Sequence, residues 1–154
     1  WVPTDSDRSN TKLIRERLLT NRAAAARLLP LYAPADQPED VLLELEAMIA
    51  PELPIAVLLL GMGADMHTAS LFPGADKLSE ALAPDAPILV PMRAPGALET
   101  RVTLSARVLD WALRKHIVIT GAEKREAFEK AQRLSALEAP IRAVLTGADV
   151  HWAP

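Results

Sequence analysis

Apolar positions along the chain fall into short continuous runs and into helically spaced sets. The most regular run extends from Ile55 to Leu60 and lies between Pro54 and Gly61. A continuous aliphatic run of this length is typical of a parallel strand that helices cover on both faces. We therefore predict that residues 55–60 form a central strand of a sheet.

The rest of the pattern predicts an alternation of strands and helices. Helices are expected where apolar residues recur every three or four positions, and strands where short β-branched runs lie between turn formers. The predicted helices are 10–20, 38–50, 106–114, 123–134 and 140–145. The further predicted strands are 88–91, 101–105, 117–120 and 150–152. This alternation indicates an α/β fold.

Composition narrows the class of protein. The chain has 154 residues, of which 50% are hydrophobic and 24% are charged, and we expect a single domain over residues 1–154. The net charge of −3 argues against a nucleic-acid partner, because it provides no broad positive field. The absence of cysteine excludes disulfides and is compatible with a reducing compartment. No apolar stretch is long enough to cross a bilayer, so we expect a cytoplasmic protein without membrane contact.

Candidate chemistry follows the run 55–60. Gly61 and Gly63 place flexible backbone at the carboxyl end of the predicted strand, where open α/β folds bind their ligands. Asp65 and His67 then bring a carboxylate and an imidazole to the same place. Met66 stands where a dinucleotide fingerprint has its third glycine, which argues against a nicotinamide cofactor. Alternatively, a lone histidine such as His67 is a core residue whose hydrogen bonds its neighbours satisfy.

The wider sequence decides between these interpretations. The string Gly-Met-Gly-Ala-Asp-Met-His-Thr-Ala-Ser-Leu-Phe-Pro-Gly, residues 61–74, resembles the signature of 6-phosphogluconolactonases. Four further blocks, 1–3, 9–10, 101–105 and 120–124, are similar to other parts of the family pattern. The resemblance covers essentially the whole chain, in order.

The resemblance also implies the fold. It predicts a three-layer, Rossmann-like and mostly parallel sheet with helices on both faces, incomplete at the N-terminus. The chain begins inside the family pattern, so the first strand, a glycine-rich sugar-phosphate loop and an Asp-Glu-Arg segment are expected to be missing. Within the chain, Met66 replaces a small residue, and the loop 93–98 has no counterpart of the family's lysine.

The activity that the resemblance implies is hydrolysis of 6-phosphoglucono-δ-lactone to 6-phosphogluconate in the oxidative pentose phosphate pathway, without a cofactor. His67 is the expected general base and general acid, because imidazole exchanges protons near neutral pH. Asp65 is expected to fix its tautomer, or alternatively to close an Asx turn. The backbone N–H groups of residues 61–65 are candidate donors to the oxyanion. No pair of histidines has the spacing of metal ligands.

The substrate phosphate calls for cations at the same site. Arg101 and Lys124 occupy the matching family blocks, and we favour Arg101 slightly. Arg93, in the loop that lacks the lysine, is a further candidate, with solvated surface charge as the equal alternative. Gly61 and Gly63 complete the predicted substrate-binding set.

Two other functions remain open. The related glucosamine-6-phosphate deaminase or isomerase group shares the fold and a similar turn, although residues 70–74 match the lactonase version better. A truncated, non-catalytic remnant is the alternative from another class. Because loss of a strand and its helices exposes apolar surface, we also expect self-association or poor solubility.

Overall fold

The structure, a computed structural model, describes residues 1–95 and 97–154; Gly96, in the loop 93–98, lies outside the described residues. The strands are β1 (Leu58–Gly61), β2 (Leu89–Met92), β3 (Arg101–Leu104), β4 (Lys115–Thr120) and β5 (Ala148–Ala153). The α-helices are α1 (Asn10–Arg17), α2 (Leu42–Ile49), α3 (Leu78–Leu82), α4 (Ala106–Asp110) and α5 (Ala122–Ala131). Short 3-10 helices span Asn21–Ala25, Pro38–Asp40, Ala50–Glu52 and Pro140–Val144.

Three of the strands form a parallel sheet in the order β1-β4-β5. Gly61 pairs with Val118, which in turn pairs with His151 on the third strand. The other two strands, β2 and β3, form an antiparallel pair. The α/β class with a mostly parallel sheet is thus confirmed.

Element types agree with the sequence more closely than element ends do. All five predicted strands are present within three residues of their expected bounds. The first helix ends at Arg17 rather than at residue 20, and α4 ends at Asp110 rather than at residue 114. The sequence did not predict α3, because one helical turn that buries only Leu78 and Ala81 leaves no periodic signal.

The position of β1 differs from the prediction. Leu58 and Leu60 are buried, but Leu59 between them is 70% exposed. Among the described strands β1 pairs with β4 alone, so it is an edge strand, and the main core covers one of its faces. The predicted central strand covered on both faces is wrong for this chain, because an apolar run shows what can be buried but not what packs against it. Val118, on the same open face as Leu59, is 44% exposed.

The sheet places two segments next to each other. Because β1 and β4 are parallel, their carboxyl ends meet at one edge. The turn that follows Gly61 and the helix α5 that follows Thr120 therefore begin side by side. The buried face of the sheet packs into the main core below these two segments. The core includes Leu58, Leu60, Met62, Leu71, Ile117 and Ile119. No helix of the described residues is long and apolar enough to cross a membrane.

Candidate active site

The segment after β1 folds into a closed turn. The N–H of Gly63 donates to the carbonyl of His67 at 3.0 Å, and the N–H of Met66 donates to the carbonyl of Gly63 at 2.9 Å. Met66 has a φ of 66°, in the left-handed region that favours glycine. The turn therefore requires at position 66 a backbone conformation that glycine would adopt without strain.

Asp65 and His67 interact directly inside this turn. His67 Nδ1 lies 2.5 Å from Asp65 Oδ1, and the backbone N–H of His67 donates to the same oxygen at 3.1 Å. An ionised carboxylate can only accept, so the hydrogen bond places the imidazole proton on Nδ1 and leaves Nε2 as the acceptor. Both predicted functions of Asp65, fixing the tautomer and closing an Asx turn, are compatible with this one contact.

The turn is tied to three other parts of the fold. The buried hydroxyl of Thr68 donates to the carbonyl of Gly61 at 2.9 Å. The N–H of Ser70 donates to the buried Thr103 hydroxyl at 3.2 Å, which links the turn to β3. The N–H of Ile141 donates to the carbonyl of Met66 at 3.1 Å. The Asp–His pair consequently rests on a fixed frame.

Gly63 is required by the closeness of this packing. A Cβ at this position would overlap the imidazole of His67 and the carboxylate of Asp65. At Gly61 a Cβ would meet only the carbonyl oxygen of Val118, at 3.9 Å. Of the two glycines that the sequence singled out, Gly63 is therefore the one whose missing side chain admits the imidazole.

Two cavities adjoin the turn. The first, of about 390 Å³, is lined by Gly61, Gly63, His67, Ala69 and Lys124 among others. The second, of about 250 Å³, is lined by Ser70 and Arg101 together with Arg8 and Ser9. Ala69 and Ser70 are consecutive, so the two cavities border neighbouring positions of one segment.

The two cations from the family blocks thus both reach the turn region. Lys124 lines the cavity of His67 itself, and Arg101 lines the neighbouring one. The Nε of Arg101 is buried and has no hydrogen-bond partner among the described residues. A buried unpaired donor is costly, so an acceptor from outside the described chain would be favourable there.

Arg93 is engaged elsewhere. Its guanidinium donates to Glu39 Oε1 at 2.7 Å and to Gln37 Oε1 at 3.1 Å. The hydrogen bond with Arg93 holds the pKa of Glu39 below its ordinary value, and the same contact raises the pKa of Arg93. Among the described residues it lines neither cavity of the turn. This pairing competes with the phosphate contact that the sequence suggested for Arg93.

Sequence reasoning gave no function to three residues that shape the site. Thr68 and Thr103 supply buried hydroxyls, and the ring of Phe72 lies against His67 with 4.5 Å between ring centroids. Thr68 and Phe72 stand inside the 61–74 string, so that string already marked their region. Nothing local marks Thr103, which reaches the turn through the tertiary structure alone.

Fold and site together define the class: an α/β protein with an Asp–His turn and nearby cations at the carboxyl edge of a parallel sheet. Residues 1–152 match the family described as glucosamine-6-phosphate isomerases/6-phosphogluconolactonase. The chain belongs to this family.

Individual relatives agree with this assignment. The chain is 43% identical to a 6-phosphogluconolactonase of Mesorhizobium japonicum and 39% identical to one of Rhizobium meliloti, with all of the chain and 67% and 69% of the relatives covered. A 6-phosphogluconolactonase structure from Shewanella baltica superposes with a TM-score of 0.93 at 32% identity, covering 100% of this chain and 68% of that one. The chain thus spans about two thirds of the length of these relatives.

A more distant structure shows the fold alone. A monomeric glucosamine-6-phosphate deaminase superposes with a TM-score of 0.74 at 16% identity, over 99% of this chain and 67% of that one. This chain therefore shares its fold with that deaminase.

Proposed function

We propose that this chain carries the catalytic turn of a 6-phosphogluconolactonase and hydrolyses 6-phosphoglucono-δ-lactone to 6-phosphogluconate. The observation that carries the proposal is the 2.5 Å contact between Asp65 Oδ1 and His67 Nδ1, on a histidine that lines a cavity. The names of the relatives that cover the whole chain support the choice of substrate.

In the first step His67 acts as a general base. Nε2 takes a proton from a water molecule as the water oxygen attacks the lactone carbonyl carbon. The imidazolium that forms is stabilised by the carboxylate of Asp65. The carbonyl oxygen becomes an oxyanion that needs donors already in place.

Fewer backbone N–H groups can donate to the oxyanion than the sequence suggested. The N–H of Gly63 is already committed to the carbonyl of His67, and that of His67 to Asp65. We infer that the N–H groups of Ala64 and Asp65, for which the described residues provide no acceptor, serve the oxyanion. In the second step the bond between the carbonyl carbon and the ring oxygen breaks, and His67 returns its proton to that oxygen.

The phosphate is attached through C6 to the carbon that carries the ring oxygen, so it would lie on the leaving-group side of the scissile bond. Lys124, in the first turn of α5, and the unpaired Nε of Arg101 provide cationic donors in the two adjoining cavities. Charge-assisted hydrogen bonds of this kind are about twice as strong as neutral ones. We therefore assign phosphate binding to Lys124 and Arg101 together rather than to Arg93.

The test is acid release from freshly prepared 6-phosphoglucono-δ-lactone, corrected for spontaneous hydrolysis. The chain should be active, and His67→Ala should lose roughly 100- to 10,000-fold in kcat, the usual contribution of a general base. Equal rates for the two proteins would overturn the proposal. Ammonia release from glucosamine 6-phosphate would instead support the deaminase alternative.

A longer version of the chain distinguishes the remaining alternative. It would add the segment by which the relatives exceed this sequence. Activity in the longer version alone would mark these 154 residues as an incomplete lactonase. Inactivity of both versions would favour a non-catalytic remnant.

We further infer that copies of the chain associate through the open face of the sheet. Leu59 and Val118 lie on that face and are 70% and 44% exposed, and the adjacent edge of β1 is unpaired among the described strands. Exposed apolar faces and free edges favour pairing with another chain.

We also place the protein in the cytoplasm, because its lack of cysteine suits a reducing compartment.

A further inference from the structure

Phe72 lies against the ring of His67. The two ring centroids are 4.5 Å apart and the ring planes are inclined by 36°. This separation is at the close end of the range that paired aromatic rings prefer. Phe72 is partly buried and packs against the main core, so its ring contacts both the core and the imidazole.

We propose that Phe72 is a positioning residue of the reaction: it fixes the plane of the His67 imidazole, while Asp65 fixes its tautomer. The inference rests on the proposed function for its catalytic consequence. Its geometric part, the contact between the two rings, stands on its own.

Two consecutive turns bring Phe72 to this position. The N–H of Leu71 donates to the carbonyl of Thr68 at 2.9 Å, and the N–H of Ala75 donates to the carbonyl of Phe72 at 3.1 Å. In the second turn Pro73 precedes Gly74, whose φ of 74° is typical of the third position of a type II turn.

Leu71 anchors the segment between these turns. It has no exposed surface and belongs to the main core. Because Leu71 is fixed in the core, the backbone of the next residue, Phe72, is fixed as well, and this limits the movement of the phenyl ring. The string Leu-Phe-Pro-Gly thus has a structural explanation. Leu71 anchors the segment in the core, the ring of Phe72 contacts the imidazole, and Pro73 and Gly74 form the turn that follows.

The imidazole needs this second constraint. The bond from Cβ holds Cγ and the contact with Asp65 restrains Nδ1, but the ring can still rock about the Cβ–Cγ bond as that hydrogen bond bends. The side chain of His67 is 32% exposed, so water can occupy the space around it. A phenyl ring on one face removes that freedom and leaves the Nε2 edge directed away from Asp65.

Misplacement of a catalytic group costs rate rather than affinity. A shift of about 1 Å in a reacting group can reduce the rate by up to roughly 100-fold. Phe72 acts on the imidazole and is not among the residues lining the cavity of His67. Its loss should therefore lower kcat and leave KM nearly unchanged.

The chain offers a matched control. It contains only two phenylalanines, and the second, Phe128 on α5, is also partly buried and packs against the same core. Phe128→Leu makes the same substitution at a partly buried phenylalanine of the same core that has no ring contact to His67 among the described residues. Phe72→Tyr keeps the ring and is the conservative rescue.

The experiment has two arms. In the first, the imidazole C–H resonances of His67 are assigned by NMR with the His67→Gln variant and compared in wild type, Phe72→Leu, Phe72→Tyr and Phe128→Leu. In the second, kcat and KM for 6-phosphoglucono-δ-lactone are measured for the same proteins, with thermal unfolding as a check on folding.

We expect an upfield ring-current shift at His67 in wild type, Phe72→Tyr and Phe128→Leu, and its loss in Phe72→Leu. We expect kcat of Phe72→Leu to fall between about 10- and 100-fold, with KM within about twofold. Phe72→Tyr should retain most of the rate.

Unchanged His67 resonances in Phe72→Leu would overturn the inference, as would an equal loss of kcat in Phe128→Leu. The NMR arm needs no substrate. If wild type hydrolyses no lactone, the proposed function fails, and the ring contact is still decided by the resonances.

Discussion

The imidazole of His67 occupies the space in which Gly63 would carry a Cβ. The same absent side chain admits the carboxylate of Asp65, so one glycine permits the whole Asp–His arrangement. The N–H of Gly63 also closes the turn by donating to the carbonyl of His67 at 3.0 Å. Backbone and side chain of the turn therefore depend on a single position.

Gly63→Ala should consequently displace His67 and strain the turn. We expect a loss of about 1–3 kcal/mol in the free energy of unfolding, as for other overpacked sites, together with a large fall in kcat. Chemical denaturation and lactone hydrolysis measure the two effects. Gly61→Ala is the control for stability, because its Cβ would make only an ordinary contact at 3.9 Å.

Asp65→Asn should reduce kcat by roughly 10- to 1,000-fold, because an amide neither enforces the Nδ1–H tautomer nor stabilises the imidazolium. Asp149→Asn is the matched control, since Asp149 forms a longer contact of 3.7 Å with His116 and is 72% exposed. Equal activities of Asp65→Asn and Asp149→Asn would contradict the assignment of Asp65.

Lys124→Gln and Arg101→Gln should each raise KM by about tenfold or more, with a smaller effect on kcat. The reason is that a charge-assisted hydrogen bond to the phosphate is lost equally in ground and transition states. Steady-state kinetics with the lactone test this, with Lys130→Gln on the exposed side of α5 as the control. A KM that moves only in Lys130→Gln would remove both residues from the phosphate site.

The Glu39–Arg93 pair should give the protein a pH-dependent term in stability. Because the hydrogen bond to Arg93 lowers the pKa of Glu39 in the folded state, its contribution is present above the unfolded pKa of about 4.3 and is lost as pH falls through the lowered value. The side chains are 36% and 40% exposed, so screening limits the effect to less than about 1 kcal/mol.

Urea denaturation between pH 3 and 7 measures this term. Glu39→Gln should lose the stabilisation above pH 4.3 and match wild type more closely at acidic pH, roughly within the error of exposed substitutions. Glu44→Gln controls for the change in net charge. A constant difference between wild type and Glu39→Gln across the range would contradict the linkage.

Leu59→Lys should weaken self-association, because it places a charge on the open face of the sheet. Sedimentation velocity at several concentrations measures the change. Leu43→Lys, at a position on α2 that is 83% exposed, is the control for adding a charge at an exposed leucine. A monomeric wild type that unfolds in one sharp calorimetric transition would contradict the association.

The sequence by itself determined the local parts of this protein. The Asp65–His67 pair, two residues apart, is closed by hydrogen bonds that all begin and end within residues 63–67. Contacts over so short a distance depend on residue types and turn chemistry, which the sequence displays. The strands were predictable for a similar reason, since an apolar run or alternation is a local property.

The tertiary structure decided which local parts meet. Lys124 and His67 line the same cavity because β1 pairs with β4, and periodicity does not specify that pairing. Arg93 is held by Glu39, 54 positions earlier in the chain, which no local pattern indicated. The edge position of β1 was unpredictable for the same reason. The hydrophobic run shows that a face of the strand can be buried, but the packing of the whole chain decides which element covers it.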